Sequence, residues 1–344
     1  MKIIQVIGSL GDGGAERVVI NLDLLFKKYT IESKIVVLQE KDFYDTTENT
    51  IINLNIKKSK AKEPLIKLLK EESADLILLH MQDISRVLKE LHWSNIYNVI
   101  HTDIHERIRD LNWYKKFKKI RDFKKIYTDK HLITVSHNIQ KGIEKLDIKP
   151  SSIQTIYNPF DFEKIQTLAN AFVPEEKNYI VHVASLRDVK RQDILLRAFA
   201  RANTEKHLLI LGDGPNRAKF MNLSKELNIQ DKVHFLGWVQ NPYPYIKHAD
   251  LFVLSSKAEG LPSVLIESLI LHTSAVSTDC NSGPREILKD ELKPYLSKVN
   301  DPDALSETIE MALDAYPKIT PSYYENFSDS RILTHYKDLI LESI

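Results

Sequence analysis

The chain of 344 residues contains a single cysteine, Cys280, so no disulfide can form within it. A composition with one thiol fits a reducing compartment. The formal net charge is only +1, which excludes a global electrostatic field that would draw the protein to nucleic acid. Any basic feature must therefore be local.

Long apolar runs are also missing. No stretch approaches the ~18 apolar residues that a membrane-spanning helix needs. The first residues, Met1-Lys2 followed by "IIQVIGSL", lead directly into a strand pattern, so we expect no signal peptide. We expect a cytoplasmic protein, or one that lies peripherally on the inner face of the plasma membrane without crossing it.

What is present is a regular alternation of apolar strand segments and amphipathic helices. The strand segments are continuously apolar, which favours parallel sheets covered by helices on both faces. The predicted strands are KIIQVIGSL, ESKIVVLQE, ADLILLH, IYNVIHTD and KHLITVSHN, then YIVHVASL, KHLLILGDG, KVHFLGW, ADLFVLSS and SAVSTDC. The length is too great for one ordinary core, and the pattern pauses near "IYNPFD" before it restarts. We predict an α/β protein with Rossmann-like doubly wound domains at 1–160 and 161–325 that face a central cleft, and a final helix at 326–344.

Ligands of doubly wound sheets bind beyond the carboxyl ends of the strands, and four loops there carry chemistry. The first is "GSLGDGGAER", where Gly13 and Gly14 precede a helix and permit close approach of a phosphate to backbone N–H groups. A dinucleotide fingerprint, G-x-G-x-x-G, would need glycine where this chain has Glu16. A nicotinamide cofactor stays an alternative at this loop, as does a turn that merely connects strand and helix.

The second loop lies in "KAEGLPSVLIESL", which spans residues 257–269. The turn Gly260-Leu261 leaves backbone donors for an anion, while Pro262 suits the first helical turn and Ser263 can help to satisfy it. Glu259 precedes the helix and could accept from hydroxyls of a polar ligand. Glu267 lies inside the helix and could accept both hydroxyls of a ribose. The simpler alternative is one surface acid and one satisfied, semi-buried acid.

The other two loops follow strands of the second half. In "LRDVKRQD", Arg187, Lys190 and Arg191 could neutralise a departing diphosphate, or they could form a solvated basic loop. In "LGDGPNR", the backbone of Gly212-Asp213-Gly214 could cradle a base or a phosphate, or simply turn. Each of the four loops follows the carboxyl end of a strand. It is less probable that all four merely connect strand and helix than that any one of them does.

Together these segments resemble a family-4 retaining glycosyltransferase of the two-Rossmann-domain type called GT-B, and the resemblance covers essentially the whole chain. Glu259 and Glu267 match the E-x7-E motif of that family, and "GSLGDGGAER" is similar to its N-terminal diphosphate loop. "GDGP" and "VHFLGWV", which contains Leu236, resemble the segments that hold the nucleotide base. The final helix resembles the one that crosses back to the first domain.

The resemblance implies roles for individual residues. Glu259 would contact hydroxyls of the donor sugar, Glu267 would bind the ribose, and Lys190 would hold the diphosphate. The family arginine usually lies five residues before that lysine, where this chain has Ser185, so Arg187 or Arg191 would replace it. His101, at the end of a first-domain strand, matches a histidine near the sugar, with His105 as a competitor.

The resemblance also implies front-face transfer with retention of configuration, in which charge stabilisation and positioning dominate. It implies a UDP-sugar as co-substrate and no metal or other cofactor. Asp301-Pro302-Asp303 is predicted to be a turn and a helix cap rather than a metal clamp.

The local basic feature is "WYKKFKKIRDFKKIY", residues 113–127. Trp113, Phe117, Ile120, Phe123 and Tyr127 recur at helical spacing, and lysine or arginine fills most other positions. We predict an interfacial helix that docks on anionic lipid. The alternative is a basic face whose apolar stripe packs on the first-domain sheet. No known nucleic-acid motif accompanies the segment, so we expect no nucleic-acid partner.

The function predicted from the sequence is transfer of a hexose or N-acetylhexosamine from a UDP-sugar to a lipid-linked or polysaccharide acceptor, in assembly of a bacterial surface glycan. The alternatives are an NAD-dependent Rossmann oxidoreductase and a non-catalytic, membrane-associated protein that binds a nucleotide sugar.

Overall fold

The computed structural model of the chain describes residues 1–11, 13–39, 45–281 and 283–343. Three residues of the predicted segments lie outside the described residues: Asp12 in the first glycine-rich loop, Glu40 at the end of the second strand and Ile344 at the end of the final helix. The chain divides into two compact units, residues 1–160 with 327–344 and residues 161–326.

The first unit contains a parallel seven-stranded sheet in the order β3-β2-β1-β4-β5-β6-β7. Its strands are β1 (Lys2–Ile7), β2 (Glu32–Val37), β3 (Ile51–Asn53), β4 (Leu76–His80), β5 (Ile96–Ile100), β6 (His131–Thr134) and β7 (Ser152–Thr155). Its helices are α1 (Gly14–Lys28), α2 (Lys62–Glu72), α3 (Gln82–Val87), α4 (Ile104–Arg109), α5 (Trp113–Tyr127), α6 (His137–Lys145) and the final helix of the chain (Asp329–Ser343).

The second unit contains a parallel six-stranded sheet in the order β10-β9-β8-β11-β12-β13. Its strands are β8 (Tyr179–Val183), β9 (His207–Leu211), β10 (Val233–Gly237), β11 (Leu251–Leu254), β12 (Ala275–Thr278) and β13 (Leu296–Ser297). Its helices are α7 (Phe162–Ala169), α8 (Gln192–Arg201), α9 (Arg217–Glu226), α10 (Tyr243–Lys247), α11 (Ser263–Ile270), α12 (Pro284–Ile287) and α13 (Pro302–Asp314). The final helix of the first unit, Asp329–Ser343, is α14.

Short 3₁₀ helices complete the described elements, at Lys58–Lys60, Asp188–Lys190, Asp290–Tyr295, Pro321–Tyr323 and Glu325–Phe327.

The central strands of both sheets are buried, as expected for parallel strands covered on two faces. Every residue of β4, β5, β11 and β12 is buried. Each of these strands lies within a segment predicted to be a strand from the sequence. The fold class predicted from the sequence, two doubly wound parallel sheets in tandem, is confirmed.

Three strands were missed by the sequence prediction: β3, β7 and β13. Each is short and lies at one edge of its sheet. In β7 every residue is only half-buried, and two of its four side chains belong to Ser152 and Thr155. Such strands lack an apolar run, and they form because a neighbouring strand offers a ladder of backbone partners; Ser152 pairs with His131 of β6.

The final helix packs within the first unit. The rings of Phe26 in α1 and Tyr336 in α14 meet edge to face at 5.2 Å. Lys28 Nζ lies 3.3 Å from a carboxylate oxygen of Asp329. Phe160 and Ser328 form a parallel bridge, so the chain re-enters this unit beside the point where it leaves it.

Strand order identifies one place in each sheet where a ligand is expected. From β8 the chain moves outward to β9 and β10, and then returns to the other side of β8 with β11. The connections after β8 and β11 therefore run in opposite directions and leave a crevice between them at the carboxyl ends. The same switch occurs between β1 and β4 in the first unit.

Candidate functional site

The switch point between β8 and β11 brings together two of the predicted loops. The basic loop follows β8, and the turn that carries Glu259 follows β11. Their backbones are joined directly, because the N–H of Lys257 donates to the carbonyl of Val189 at 2.8 Å. Two segments that are far apart in the sequence thus form one surface.

The centre of this surface is an ion pair between Lys190 and Glu259. Lys190 Nζ lies 2.7 Å from Glu259 Oε1, and the two side chains are 24% and 10% exposed. Both residues were predicted to act on one ligand, and the structure places them in contact. This ion pair can open to bind a ligand in which a diphosphate adjoins a sugar. The cation would then bind the diphosphate, and the carboxylate would accept from the sugar hydroxyls.

Two buried serines hold the ion pair in position. Ser256 Oγ donates to Glu259 Oε1 at 2.5 Å, and Ser255 Oγ donates to the carbonyl of Lys190 at 2.8 Å. Both serines directly follow β11, and both are buried. Neither serine was predicted to belong to the site. The signal was available, since a polar Ser-Ser pair closes an otherwise apolar strand.

The two arginines of the basic loop differ in their surroundings. Arg191 adopts a left-handed backbone conformation with φ of 52° and is the N-cap residue of α8. Its guanidinium donates to both carboxylate oxygens of Asp193, at 2.9 and 2.8 Å, and this pairing raises the pKa of Arg191. Arg187 is exposed at the start of the Asp188–Lys190 turn. The charge of Arg191 is balanced by the carboxylate of Asp193, in the first turn of α8.

A buried histidine in β8 is linked to the basic loop by hydrogen bonds. His182 in β8 is fully buried, and burial lowers its pKa to about 4, so the ring is neutral at pH 7. Its Nδ1 lies 2.8 Å from the carbonyl of Val253, which makes Nδ1 the donor and leaves Nε2 as an acceptor. Gln192 Nε2 lies 3.3 Å from that Nε2 and also donates to the carbonyl of Ser185 at 3.0 Å. Gln192 thus links β8 to the loop that carries Lys190.

The turn before α11 is tightly enclosed. Leu261 and Pro262 are buried, and Pro262 is the N-cap residue of α11 with Ser263 as its first residue. Within the described residues, this helix start shows no side-chain cap hydrogen bond from its N-cap residue, and a contribution of Ser263 stays a prediction. Gly283, with φ of 74°, lies against the turn, and a Cβ there would be 2.7 Å from the carbonyl oxygen of Gly260.

Glu267 is a buried carboxylate on α11. The residue is 1% exposed, and Tyr243 Oη donates to its Oε1 at 3.3 Å. Tyr243 begins α10 and is itself buried. Its contact with Glu267 was not predicted, because nothing in the spacing of residues 243 and 267 links them.

The loop after β9 depends on two glycines. Gly212 has φ of 128°, and a Cβ there would lie 2.1 Å from the carbonyl oxygen of Ala184. At Gly214 a Cβ would lie 2.6 Å from the carbonyl oxygen of Leu186. The N–H of Leu186 donates to the carbonyl of Asp213 at 2.9 Å, so this loop is joined to the start of the basic loop. The predicted turn is therefore a close contact between two backbones.

Leu236 lies in β10, beyond β9, and is 39% exposed. Arg217 of α9 donates to the carbonyl of the preceding Phe235 at 2.9 Å. The carbonyl of Gly237, at the end of the strand, accepts from the N–H of Gly212 at 2.6 Å. The segment that was predicted to hold a base thus adjoins the Gly212 loop.

In the first unit, the glycine-rich loop leads from β1 into α1. Gly13 is the N-cap residue and Gly14 the first residue of the helix. The carboxylate of Glu16 lies over Gly13, where a Cβ would be only 2.2 Å from Glu16 Oε2. The positive end of the helix dipole is therefore occupied by a carboxylate of the chain itself.

His101 follows β5 and contacts a second histidine. His80 Nδ1, at the end of β4, lies 2.9 Å from His101 Nε2, and the rings stack at 5.2 Å. Burial lowers the pKa of His101 to about 4, and burial together with His101 holds the pKa of His80 below its usual range. His105, the competitor, lies at the start of α4 and is half-buried. Sequence reasoning missed His80, although it too ends an apolar strand.

The basic segment forms one helix, α5, with bounds at the predicted residues. Its apolar stripe is divided along its length. Phe123 and Tyr127 are buried, whereas Trp113 is 80% exposed and Phe117 is 62% exposed. Tyr114, which was not assigned to the stripe, is also 62% exposed. The buried half of the stripe fits the alternative that it packs on the domain, and docking of the exposed half on lipid stays a prediction.

Asp301 caps α13 as predicted, because its Oδ1 accepts from the N–H of Ala304 at 3.1 Å.

Among the described residues, no helix combines the length and apolar character that a membrane crossing requires.

Comparison with known proteins finds a family match that lies almost entirely in the second unit. Residues 164–328 match the family described as glycosyl transferases group 1. The chain carries a domain of this family. The match contains Lys190, Glu259 and Glu267, with both loops at the β8/β11 switch point.

Two relatives extend the likeness beyond the glycosyl transferase domain. An uncharacterized glycosyltransferase of Methanocaldococcus jannaschii is 32% identical over 264 residues, which cover 68% of this chain and 64% of that protein. The N-acetylgalactosamine-N,N'-diacetylbacillosaminyl-diphospho-undecaprenol 4-alpha-N-acetylgalactosaminyltransferase of Campylobacter jejuni is 27% identical over 331 residues, which cover 91% of this chain and 90% of that enzyme.

Among solved structures, HepE of Anabaena in complex with UDP superposes with a TM-score of 0.79 over 100% of both chains at 18% identity. This likeness establishes the GT-B fold for the chain that carries the glycosyl transferase domain. Gly13, Gly14, His101 and α5 lie outside the matched domain.

Proposed function

We propose that this protein is a retaining glycosyltransferase that moves a sugar from a UDP-sugar to a lipid-linked glycan. The observation that carries the proposal is the Lys190–Glu259 pair at the β8/β11 switch point of a group 1 glycosyl transferase domain. Ligands of doubly wound sheets bind at such a point. A pair made of one cation and one carboxylate suits a ligand in which a diphosphate adjoins a sugar.

Each loop of the site then has one portion of the donor to hold. Lys190 binds the diphosphate, Glu259 accepts from sugar hydroxyls, and the buried Glu267 accepts from the ribose. The close-packed Gly212 loop and the neighbouring Leu236 segment hold the base. UDP is the nucleotide bound to HepE of Anabaena, which supports UDP as the carrier here.

Arg187 is the cation that we propose in place of the family arginine. Arg187 is exposed and directly precedes the Asp188–Lys190 turn that carries Lys190. An exposed guanidinium can close on a diphosphate once the donor is bound. Ser185, at the family position, contributes its carbonyl to the Gln192 contact.

The proposed reaction breaks the bond between the anomeric carbon and the UDP oxygen, and forms a bond from an acceptor hydroxyl to that carbon on the same face. The acceptor proton passes to the departing diphosphate. Lys190 and Arg187 stabilise the charge that develops on that diphosphate, which is where electrostatic catalysis has its largest effect. This route requires no metal.

The acceptor is proposed to be lipid-linked, as in the name of the Campylobacter relative, which contains a diphospho-undecaprenol acceptor. An N-acetylhexosamine is the proposed sugar for the same reason. Attack on a lipid-linked acceptor places the protein at a membrane surface, and the exposed aromatic end of α5 would supply the contact.

Turnover of UDP-sugars tests the proposal directly. The full chain is mixed with a panel of UDP-sugars and an undecaprenyl-diphosphate glycan, and UDP release and the anomeric configuration of the product are measured. We expect release with one or two sugars and an α-linked product from an α-linked donor. Tight UDP binding without release would favour the non-catalytic alternative, and NADH binding without UDP binding would favour the oxidoreductase.

The exposed lysines of α5 should matter for the membrane. Lys115, Lys118 and Lys119 are exposed beside Trp113 and Phe117. Charge reversal of all three to glutamate should weaken binding to vesicles that contain phosphatidylglycerol by roughly a hundredfold or more, because each basic residue near an anionic surface contributes about 1 kcal/mol. Vesicle co-sedimentation measures the effect.

The matched control reverses three exposed lysines of other helices, Lys67, Lys70 and Lys225, and so changes the net charge equally. This variant should keep most of its vesicle binding. Equal losses in both variants would mean that net charge alone, rather than α5, directs the protein to lipid.

A further inference from the structure

A cluster of two histidines and a glutamate lies near the amino-terminal ends of strands in the second sheet. The candidate site lies at the carboxyl ends of strands in the same sheet. Glu176, His207 and His234 each offer one ligand atom, and the three atoms lie within 4.8 Å of one another. We propose that these residues bind a transition-metal ion of the zinc class. The proposal does not depend on the proposed glycosyltransferase activity.

Strand register explains why the cluster forms. His207 begins β9, and His234 pairs with Leu209, two residues further along β9. Side chains two residues apart share a face of a sheet, so both rings project from the same face of adjacent strands. Glu176 lies just before β8, on the other side of β9, and its carboxylate reaches the same point.

The donor atoms already converge. His207 Nδ1 lies 2.9 Å from His234 Nε2 and 3.2 Å from Glu176 Oε1. Ligands about 2.0–2.1 Å from a tetrahedral zinc ion are separated by roughly 3.3 Å, so modest side-chain movement would admit an ion. Each ring would bind the ion through a nitrogen that carries no proton, so a proton on that nitrogen would move to the other nitrogen of the same ring or, from a protonated ring, to solvent.

The donor set selects the class of ion. Two imidazole nitrogens and one carboxylate oxygen suit zinc and the neighbouring divalent transition metals, whereas magnesium and calcium prefer oxygen ligands. His207 and Glu176 are each 35% exposed, so an ion can enter from solvent and water can complete its coordination.

The position of the cluster points to a structural role. His207 and Leu211, which bound β9, are separated by about 13 Å because a strand rises by ~3.3 Å per residue. The Gly212 loop lies beyond that far end. An ion at the cluster would join the starts of β9 and β10 to the segment before β8, and would stabilise the folded unit by mass action.

Zinc titration of the full chain, freed of any histidine tag and stripped with EDTA, tests the site. We expect one Zn²⁺ per chain by calorimetry, with a dissociation constant in the micromolar range or tighter. At a hundredfold excess over that constant, the unfolding temperature should rise by about 5 °C. MgCl₂ at the same concentration should produce no rise.

Variants separate this site from other histidines. His207→Gln with His234→Gln, and Glu176→Gln alone, should each lose the zinc-dependent rise, while His248→Gln, an exposed histidine of the same unit, should keep it. Unfolding temperatures in EDTA show whether each variant is folded. Four-coordinate Co²⁺ absorption, present in the wild type and absent in the double variant, reports on the site independently of stability.

Equal zinc binding by the wild type and the double variant would overturn the proposal. Wild-type binding only at millimolar zinc would do the same.

Discussion

Replacing Lys190 with methionine is expected to lower kcat for sugar transfer by about 10²–10³-fold. Removal of one preorganised group that stabilises developing charge typically has an effect of this size. Lys190 is preorganised in this way, because its carbonyl accepts from Ser255 and its ammonium lies 2.7 Å from Glu259. Methionine keeps an unbranched apolar stem and removes only the charge and its hydrogen bonds.

Two ligands distinguish the roles of Lys190 and Glu259. UDP contains the diphosphate but lacks the donor sugar, so Lys190→Met should weaken UDP binding while Glu259→Gln should leave it nearly unchanged. Both variants should impair turnover of the UDP-sugar. Calorimetry with UDP and steady-state kinetics with the UDP-sugar separate the two effects.

Lys206 provides the matched control for the lysine variant. Its Nζ lies 2.9 Å from Asp250 Oδ2, and its side chain is 26% exposed, close to the 24% of Lys190. Lys206→Met should change turnover by less than about twofold, because a partly exposed ion pair away from the reaction contributes little. A similar loss of kcat in both variants would mean that disturbance of the fold, rather than lost charge at the diphosphate, explains the effect.

Replacing Gly212 with alanine is expected to lower the free energy of unfolding of the second unit by about 3 kcal/mol or more. Its φ of 128° is a conformation that side chains rarely adopt, and the added Cβ would lie 2.1 Å from the carbonyl oxygen of Ala184. The obstacle is backbone, so no side-chain rotation relieves it. The N–H of Gly212 also donates to the carbonyl of Gly237 at 2.6 Å, and that contact would be strained.

Urea unfolding followed by circular dichroism measures this effect. Gly11→Ala is the control, since a Cβ at Gly11 would meet nothing within 4 Å. That variant should be at least as stable as the wild type, because alanine restricts the unfolded chain more than glycine does. Equal stability of the Gly212 and Gly11 variants would show that the Gly212 loop can reach the basic loop in another conformation.

The elements that were predictable from sequence are those whose evidence is local. An apolar run such as that of β4 can only be satisfied by burial, so its presence and its parallel class followed directly. The helix α5 was predicted with its bounds because aromatic residues and lysines alternate with helical spacing over its full length. Short edge strands such as β7 were missed because their ladder partners, not their own residues, make them strands.

The candidate site divides in the same way. Residue types indicated the chemistry: Lys190 for a diphosphate, Glu259 and Glu267 for hydroxyls, and glycines where a backbone must come close. The residues that hold these groups were not predictable. Ser256, Gln192 and Tyr243 contact Glu259, His182 and Glu267 respectively, and no sequence spacing indicates such contacts.

The sequence by itself determined which segments form the buried central strands, and which loops carry charge or glycine, because burial and backbone freedom act on each segment where it lies. Only the tertiary structure decided that β11 returns beside β8, that Lys190 meets Glu259, and that His207 meets His234 and Glu176. These contacts depend on strand order and register. Many residues set strand order and register together, through the burial of whole sheets, and no single segment contains that information.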